Sequence, residues 1–352
     1  MDAGGARTRD DLLLSVCWLV LLGAIFIDAT IPGVALSGSY GLAAVLAGAL
    51  VTVRRTVGIG TAVVAASAMS FVWNDNPGSL EWGLRLLVAA ALSATAVAIA
   101  ASRQRREKRL AQMTLIAETA QRAILRALPT AVGDVGFAAR YVSAAEEARI
   151  GGDLYEVVST AYGTRAIVGD VKGKGLDAVQ LAATVLGAFR RAAASLPDLT
   201  GVARELDTVV TSVAGPEDFV TAVLVQFGPD GSLAVVNIAH MPPVLIHPAG
   251  GAPAQVLDTG DPVPPLGLHP QPTLTRTTWG PGTRLLLYTD GTSESRDSQG
   301  RFFEVTAHAG LLSQGTLEQA LDRLVSALTH HVGHQLTDDV ALVLAERRSD
   351  HT

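Results

Sequence analysis

Only one cysteine, Cys17, occurs in 352 residues. That excludes an intrachain disulfide and a cysteine-based zinc site, and it suits a reducing compartment. Charged residues make up 17% of the chain and aromatics 5%, against 49% hydrophobic residues. So little charge in a chain of this length places part of it in a membrane. A basic surface is missing as well. The formal net charge is -6, so the counterion release that drives phosphate-backbone binding has no source, and nucleic acid is excluded as a partner. No Gly-x-Ser-x-Gly elbow is present for a serine esterase. The run Gly169-Asp-Val-Lys-Gly-Lys-Gly175 superficially suggests a phosphate-binding loop. Gly175, however, stands where such a loop needs Ser or Thr for Mg²⁺, so nucleotide binding is not indicated. Residues 103–130 contain no histidine, which argues against a histidine-kinase dimerisation helix.

Four uncharged apolar stretches fill the first hundred residues: Leu12–Ile27, Val34–Val53, Val57–Trp73 and Leu86–Ala101. Each reaches or nearly reaches the ~17–25 residues that a span requires, and none has the polar face of a soluble helix. Basic residues alternate with them. Arg7 and Arg9 precede the first, Arg54 and Arg55 follow the second, and Arg103, Arg105, Arg106, Lys108 and Arg109 follow the fourth. The other connections hold Asp28, Asp75 and Glu81, with Arg85 taken as a flank of the fourth stretch that can snorkel. The excess of basic residues on the cytoplasmic side predicts four spans, with both termini in the cytoplasm and the chain multi-pass in the cell membrane. The spans contain no ionisable residue at mid-depth, which argues against transport. The expected organisation is a four-span region over 1–102, a linker helix over 103–130 and a catalytic domain over 131–347.

In the linker, Leu110, Met113, Ala117, Ala120, Ile124 and Ala127 recur at 3,4,3,4,3 spacing. This reads either as a short coiled-coil seam joining two copies, or as a helix face packed on its own catalytic domain. Pro129 ends the helical pattern. Beyond it, strands are expected over 135–142, 153–159, 165–171, 218–227, 232–239, 243–247, 284–289 and 339–345. Helices are expected over 176–195, 199–213 and 316–333. Consecutive strands with clustered helices predict an α+β sandwich of antiparallel sheets flanked by helices, not a doubly wound parallel sheet.

Four acidic turns adjoin these strands: Gly151-Gly-Asp153, Gly169-Asp170, Asp290-Gly291 and Asp338-Asp339. Strand ends hold carboxylates rigidly at a sheet's rim, and neighbouring glycines let carbonyls or water approach. Oxygen ligands without histidine or cysteine suit a hard cation such as Mg²⁺ or Mn²⁺. Two such ions about 3.5–4 Å apart activate a water and clamp a phosphoryl group for in-line attack, so no protein nucleophile is required.

The ordered landmarks make the chemistry specific. They are Gln121-Arg-Ala-Ile-Leu-Arg-Ala-Leu-Pro129, Ile150-Gly-Gly-Asp-Leu-Tyr-Glu156, Val168-Gly-Asp-Val-Lys-Gly-Lys-Gly-Leu176 and Phe219-Val-Thr221. There follow Ala239-His-Met-Pro-Pro243, Pro265-Leu-Gly267, Leu286-Leu-Tyr-Thr-Asp-Gly291 with Glu294, and Asp338-Asp-Val-Ala-Leu-Val343. Over residues 118–346 the chain resembles the bacterial sigma-regulator branch of the metal-dependent phosphatases, the SpoIIE/RsbU type related to protein phosphatase 2C. The resemblance implies a serine/threonine phosphatase using two Mn²⁺ or Mg²⁺ ions. Asp170 would bridge both ions, with the Val171 carbonyl completing one shell. Asp153, Asp290 and Asp338 would supply the other carboxylates, with Asp339 the rival to Asp338; Asp170 and Asp290 are the catalytic pair. Lys172 and Lys174 would meet the substrate phosphate. A phosphorylated STAS-type anti-anti-sigma factor is the implied substrate, linking membrane events to transcription. Three positions depart from the family pattern. Glu156 replaces an aspartate, which leaves open a catalytically silent scaffold that only binds such a partner. Ala239-His240 replaces Gly-His, with His240 read as structural and without an evident partner. Arg284 replaces an acidic residue and is expected in a surface turn.

Overall fold

In the computed structural model the N-terminal stretches are helical: α1 (Ala3–Thr30), α2 (Gly41–Leu50), α3 (Val53–Met69), the short α4 (Phe71–Asn74) and the first part of α5 (Leu80–Ile124). The structure describes residues 3–30, 37–74, 78–125, 127–144, 151–248, 253–333 and 336–348. Val34, Asp75, Arg126 and Ile150 lie outside the described residues, as do the side chains of Arg7, Arg9, Ala117 and Ala120. Three segments are long and apolar enough to cross a membrane: Asp10–Thr30, Val53–Trp73 and Leu80–Met113. The expected second span is different. Its described part is a 3-10 turn, Ser37–Tyr40, followed by the 10-residue α2. Ten helical residues rise about 15 Å, half the ~30 Å of a hydrocarbon core. Among the described residues, three of the expected apolar stretches thus lie in helices of spanning length and one in a shorter helix.

The short helix is held by close approach. A Cβ on Gly48 would stand 2.6 Å from the Ala96 carbonyl oxygen, and one on Gly41 would overlap the Leu92 side chain. Small residues let two apolar helices touch along their backbones. Polar contacts then sort the helix ends of the unit Met1–Ala111. Arg55 pairs with Asp10 at 3.6 Å and Asp11 at 2.6 Å, and Arg103 donates to the carbonyls of Ala49 and Val51. At the opposite ends, Tyr40 Oη and Trp73 Nε1 donate to Asp28 Oδ2 at 2.6 and 2.9 Å. The segments therefore alternate in direction, with Arg55 and Arg103 at one end. Asp28, expected in a loop, instead belongs to α1 and is buried.

The unit Gln112–Thr352 holds two antiparallel sheets. One has the order β1-β2-β11-β10-β7-β8, built from Ala131–Val132, Val135–Val142, Val340–Arg347, Arg284–Tyr288, Val244–Ile246 and Gln255–Val256. The other is β3-β4-β5-β6-β9, from Leu154–Thr160, Gly163–Val171, Val220–Phe227, Ser232–Ile238 and Thr275–Thr278. Strand alternation builds three cores at once. Ala166, Val168, Val223 and Val225 meet Leu285, Leu287, Ala341 and Val343 between the sheets. The intervening residues Ile167, Ala222 and Leu224 face α6 (Leu176–Ser195) and α7 (Leu199–Val213). Leu286, Leu342 and Leu344 face α9 (Ala309–Leu312) and α10 (Leu317–Val332), which follow the short α8 (Asp290–Ser293). Strands buried on both faces read as continuous apolar runs. This is the α-β-β-α sandwich expected.

Helix α5 stops at Ile124, short of Pro129, because Leu125 and Leu128 turn into the cores. The expected seam is divided: Leu110 and Met113 are exposed, whereas Ile124 packs on the unit's own core. Arg284 corrects another expectation. It lies inside β10, buried, and donates to Glu346 and to the carbonyls of Leu312 and Gly315. An arginine fork satisfying several acceptors is a structural tie, not a surface turn.

Candidate metal centre

Register brings the aspartates together. In the β3–β4 pair Leu154 lies opposite Gly169, so Asp153, one residue outside β3, comes level with Asp170. Val171 N–H donates to the Gly152 carbonyl at 3.3 Å, and a Cβ on Gly152 would stand 2.4 Å from the Val171 oxygen. Only glycine admits that approach. On the other sheet Tyr288 opposes Leu342, which puts Asp290 and the Asp338-Asp339 pair at neighbouring strand ends. Thr289 joins the two rims. Its hydroxyl donates to Asp153 Oδ2 at 2.8 Å and accepts from Ala341 N–H at 2.9 Å.

Asp153, Asp170, Val171, Lys172, Lys174, Asp290, Asp338 and Asp339 all line one cleft of about 280 Å³. Asp153 is 3% exposed. Burial, then the neighbouring Asp170, pushes its carboxyl well above the ordinary aspartate range. Burial also raises Asp170, to about 7, with Asp290 and Asp338 adding repulsion and a hydrogen bond from Asp153 opposing it. Asp290 is raised by burial, then by Glu294 and Asp338. Such a set of desolvated, mutually repelling oxygens is short of positive charge.

Among the described residues, the cation paired with these carboxylates is Lys174, whose Nζ lies 2.8 Å from Asp338 Oδ1. Lys172 instead stands over the Phe219 ring at 5.2 Å. Among the described residues, no three acidic or histidine side chains already converge on one ligating point. The donor set nevertheless fits hard divalent ions: all oxygen, buried, short of positive charge, and approached by a backbone carbonyl across a glycine.

The remaining candidates fall elsewhere. Asp339 is 3% exposed, and its oxygens accept from Gly151 N–H at 2.7 Å, Ala144 N–H at 2.8 Å, Ser143 Oγ at 3.3 Å and the Tyr141 hydroxyl. Asp338, by contrast, has a half-exposed side chain. Glu156 does not line the cleft; Arg190 of α6 donates to its carboxylate through Nε at 2.8 Å and through a second nitrogen. The longer acid reaches a helix that an aspartate would miss. His240 does have a partner, contrary to expectation: its Nδ1 lies 2.9 Å from Thr221 Oγ1, and that hydroxyl donates to the Asp170 carbonyl at 3.4 Å. Burial lowers the histidine to about 4, so it is neutral. Thr289, Thr221 and Tyr141 escaped sequence reasoning. The first two sit in the landmarks Tyr-Thr-Asp-Gly and Phe-Val-Thr, which was the available signal.

The family model for Stage II sporulation protein E (SpoIIE) matches residues 160–348, more than half of the chain. The chain belongs to the SpoIIE family. It carries a PP2C-type serine/threonine phosphatase domain. Two solved structures share the fold. The RsbU and RsbW domains of Rv1364c from Mycobacterium tuberculosis are 23% identical with a TM-score of 0.54, over 64% of this chain and 62% of that one. The SiaA-PP2C domain of Pseudomonas aeruginosa is 21% identical with a TM-score of 0.57, over 71% of this chain and 99% of that one. The chain thus spans less than two thirds of the mycobacterial protein's length.

Proposed function

We propose that this SpoIIE-family chain is a membrane-anchored protein serine/threonine phosphatase that uses two divalent ions, Mn²⁺ or Mg²⁺, with its phosphatase domain in the cytoplasm. The observation that carries the reading is the convergence of Asp153, Asp170, Asp290 and Asp338 in one cleft where burial and mutual repulsion raise three of them. Asp170 and Asp153, with the Val171 carbonyl, would hold the ions from one sheet, and Asp290 and Asp338 from the other. Bound there, the ions would supply an activated water and neutralise the phosphoryl charge. The chain's own part is positional. Thr289 fixes Asp153, and the 172–174 loop sets Lys172 and Lys174 at the mouth of the cleft, where an ammonium meets a phosphate as a point charge. A hollow of about 570 Å³ adjoins the cleft at Asp338 and leaves room for the residues flanking a phosphorylated side chain.

The substrate in this reading is a phosphorylated STAS-domain protein, so the output is transcriptional. Two solved relatives are named for an RsbU domain joined to an RsbW domain and for a SiaA phosphatase domain, which fits regulatory protein partners. Exposed Leu110 and Met113 on α5 support a homodimer through the linker helix. Basic residues at one end of the helical unit support cytoplasmic termini.

The test is phosphate release from a phosphorylated STAS-domain protein by the full chain in detergent, with Mn²⁺ and then with chelator. Turnover is expected to require the metal and to vanish in Asp170→Asn and Asp290→Asn. A wild-type chain that binds the phosphoprotein yet releases no phosphate from it or from an aryl phosphate would establish the silent scaffold instead.

A further inference from the structure

A closed ring of hydrogen bonds grips the backbone that carries Asp153. Gly151 N–H donates to Asp339 Oδ2 at 2.7 Å, and the Gly151 carbonyl accepts from Gln121 Nε2 at 3.1 Å. The same Gln121 nitrogen donates to Tyr141 Oη at 2.6 Å, and the Tyr141 hydroxyl donates to Asp339 Oδ2. The ring therefore runs Gln121, Tyr141, Asp339, Gly151 and back. Its members are sheltered: Gln121 is 7% exposed and Asp339 3%. A carbonyl only accepts, so facing Gly151 fixes which end of the glutamine amide points inward. No side chain can replace the glycine, since a Cβ on Gly151 would stand 2.1 Å from Asp339 Oδ2.

We infer that Gln121 is a positioning residue for the metal site: through Tyr141, Asp339 and the Gly151 peptide it holds the loop that aims Asp153. The inference rests on the two-metal reading above. Gln121 and Tyr141 do not line the cleft, so neither touches a reacting group. The Gly151-Gly152 pair is the part of the loop with most conformational freedom to lose, and the ring bonds both polar groups of the Gly151 peptide. Gln121 lies in the last turn of α5. Asp153 is thus aimed only while that turn is seated, and unseating it loosens a metal ligand without altering any ligand.

The experiment uses the full chain in detergent, with Gln121→Leu, Gln121→Met, Tyr141→Phe and the Gln121→Leu/Tyr141→Phe double variant. Mn²⁺ affinity is measured by calorimetry and as the half-saturating Mn²⁺ for aryl-phosphate hydrolysis. Amide exchange over residues 151–153 is followed without metal. Losing a partner that orients a ligand weakens metal binding by about 10–100-fold. Each single variant is expected to raise half-saturating Mn²⁺ about tenfold, with kcat at saturating Mn²⁺ falling much less. The double variant should be no worse than the weaker single one, because one ring is broken in either case. Exchange over 151–153 should quicken. A melting temperature that drops while Mn²⁺ affinity and loop exchange keep wild-type values overturns the inference and leaves Gln121 a packing residue. If wild-type protein binds no Mn²⁺, the two-metal reading fails separately, and unchanged exchange in Gln121→Leu then overturns the loop-holding role as well.

Discussion

Consecutive side chains entering a strand point to opposite faces, and this separates Asp338 from Asp339 just before β11. Asp338 keeps its side chain half-exposed and, among the described residues, has Lys174 as its ionic partner, a surface pair worth at most about 1 kcal/mol. Asp339 is buried under four protein donors. Asp338→Asn should therefore weaken Mn²⁺ activation with little change in the urea midpoint. Asp339→Asn should first cost stability, about 1–3 kcal/mol, because its amide NH₂ is turned against N–H donors that need an acceptor. Equal stability of the two variants would show that the assignment is wrong. Ala239 gives a second residue-scale expectation. Its φ is +51°, where glycine carries no Cβ penalty. Ala239→Gly is expected to raise stability by about 0.5–1 kcal/mol, read from the urea midpoint. The glycine of the family pattern is thus explained by backbone conformation, and its absence here is a strain the chain tolerates. Asp153, Asp170 and Asp290 were legible from strand ends and neighbouring glycines. The division of labour within Asp338-Asp339 was not, because a sequence does not show which face each of two adjacent acids takes.

At the scale of elements, period two and apolar runs made eight strands, β2 to β7, β10 and β11, and the three longer helices of the phosphatase unit legible. What escaped is physically weaker. Strand β9 is Thr275–Thr278, polar and paired on one side only, and β8 is two exposed residues. Helix α10 begins with a capping box, Thr316 with Gln319, and ends on Gly333 at φ +67°, so both of its boundaries were written locally. In the second apolar stretch the described residues form a 3-10 turn and the ten-residue α2, because apolar composition records burial but not how far a helix continues. The tie between β3 and α6 was also invisible. Glu156 on β3 accepts two bonds from Arg190, with 9% and 32% of the respective side chains exposed. Hydrogen bonds between charged groups contribute about 1.5–3 kcal/mol. Glu156→Asp, although it restores the acid of the family pattern, is expected to destabilise by about 1–3 kcal/mol, because the shorter chain withdraws from Arg190. A cycle with Arg190→Met checks this: the pair should couple by more than ~0.5 kcal/mol. Additive effects would mean the contact carries no stability.

At the scale of the molecule, burying several aspartates in one cleft ties stability to both pH and metal. An aspartate in the unfolded chain titrates near ~3.9, whereas Asp170 in the fold keeps its proton up to about 7. Asp153 and Asp290 are shifted in the same direction. From about pH 4 to about 7 the metal-free folded protein therefore binds more protons than the unfolded chain. Stability must then fall as pH rises through that window, since the slope follows the difference in bound protons. With chelator present, the unfolding midpoint of the phosphatase unit should drop steadily from pH 5 to 8. Ligating carboxylates must be deprotonated, so binding of Mn²⁺ releases protons. Calorimetry in buffers of different ionisation enthalpy should find more protons released per ion at pH 6 than at pH 8. The metal should stabilise most at the alkaline end, where it replaces the lost protons as the counter-charge. Asp170→Asn removes one of the groups that titrate in this window, so its chelated form should show a flatter pH dependence. A chelated wild-type protein that gains stability between pH 5 and 8 would mean that the carboxylates are already compensated within the fold, and that the cleft is not built around a missing cation.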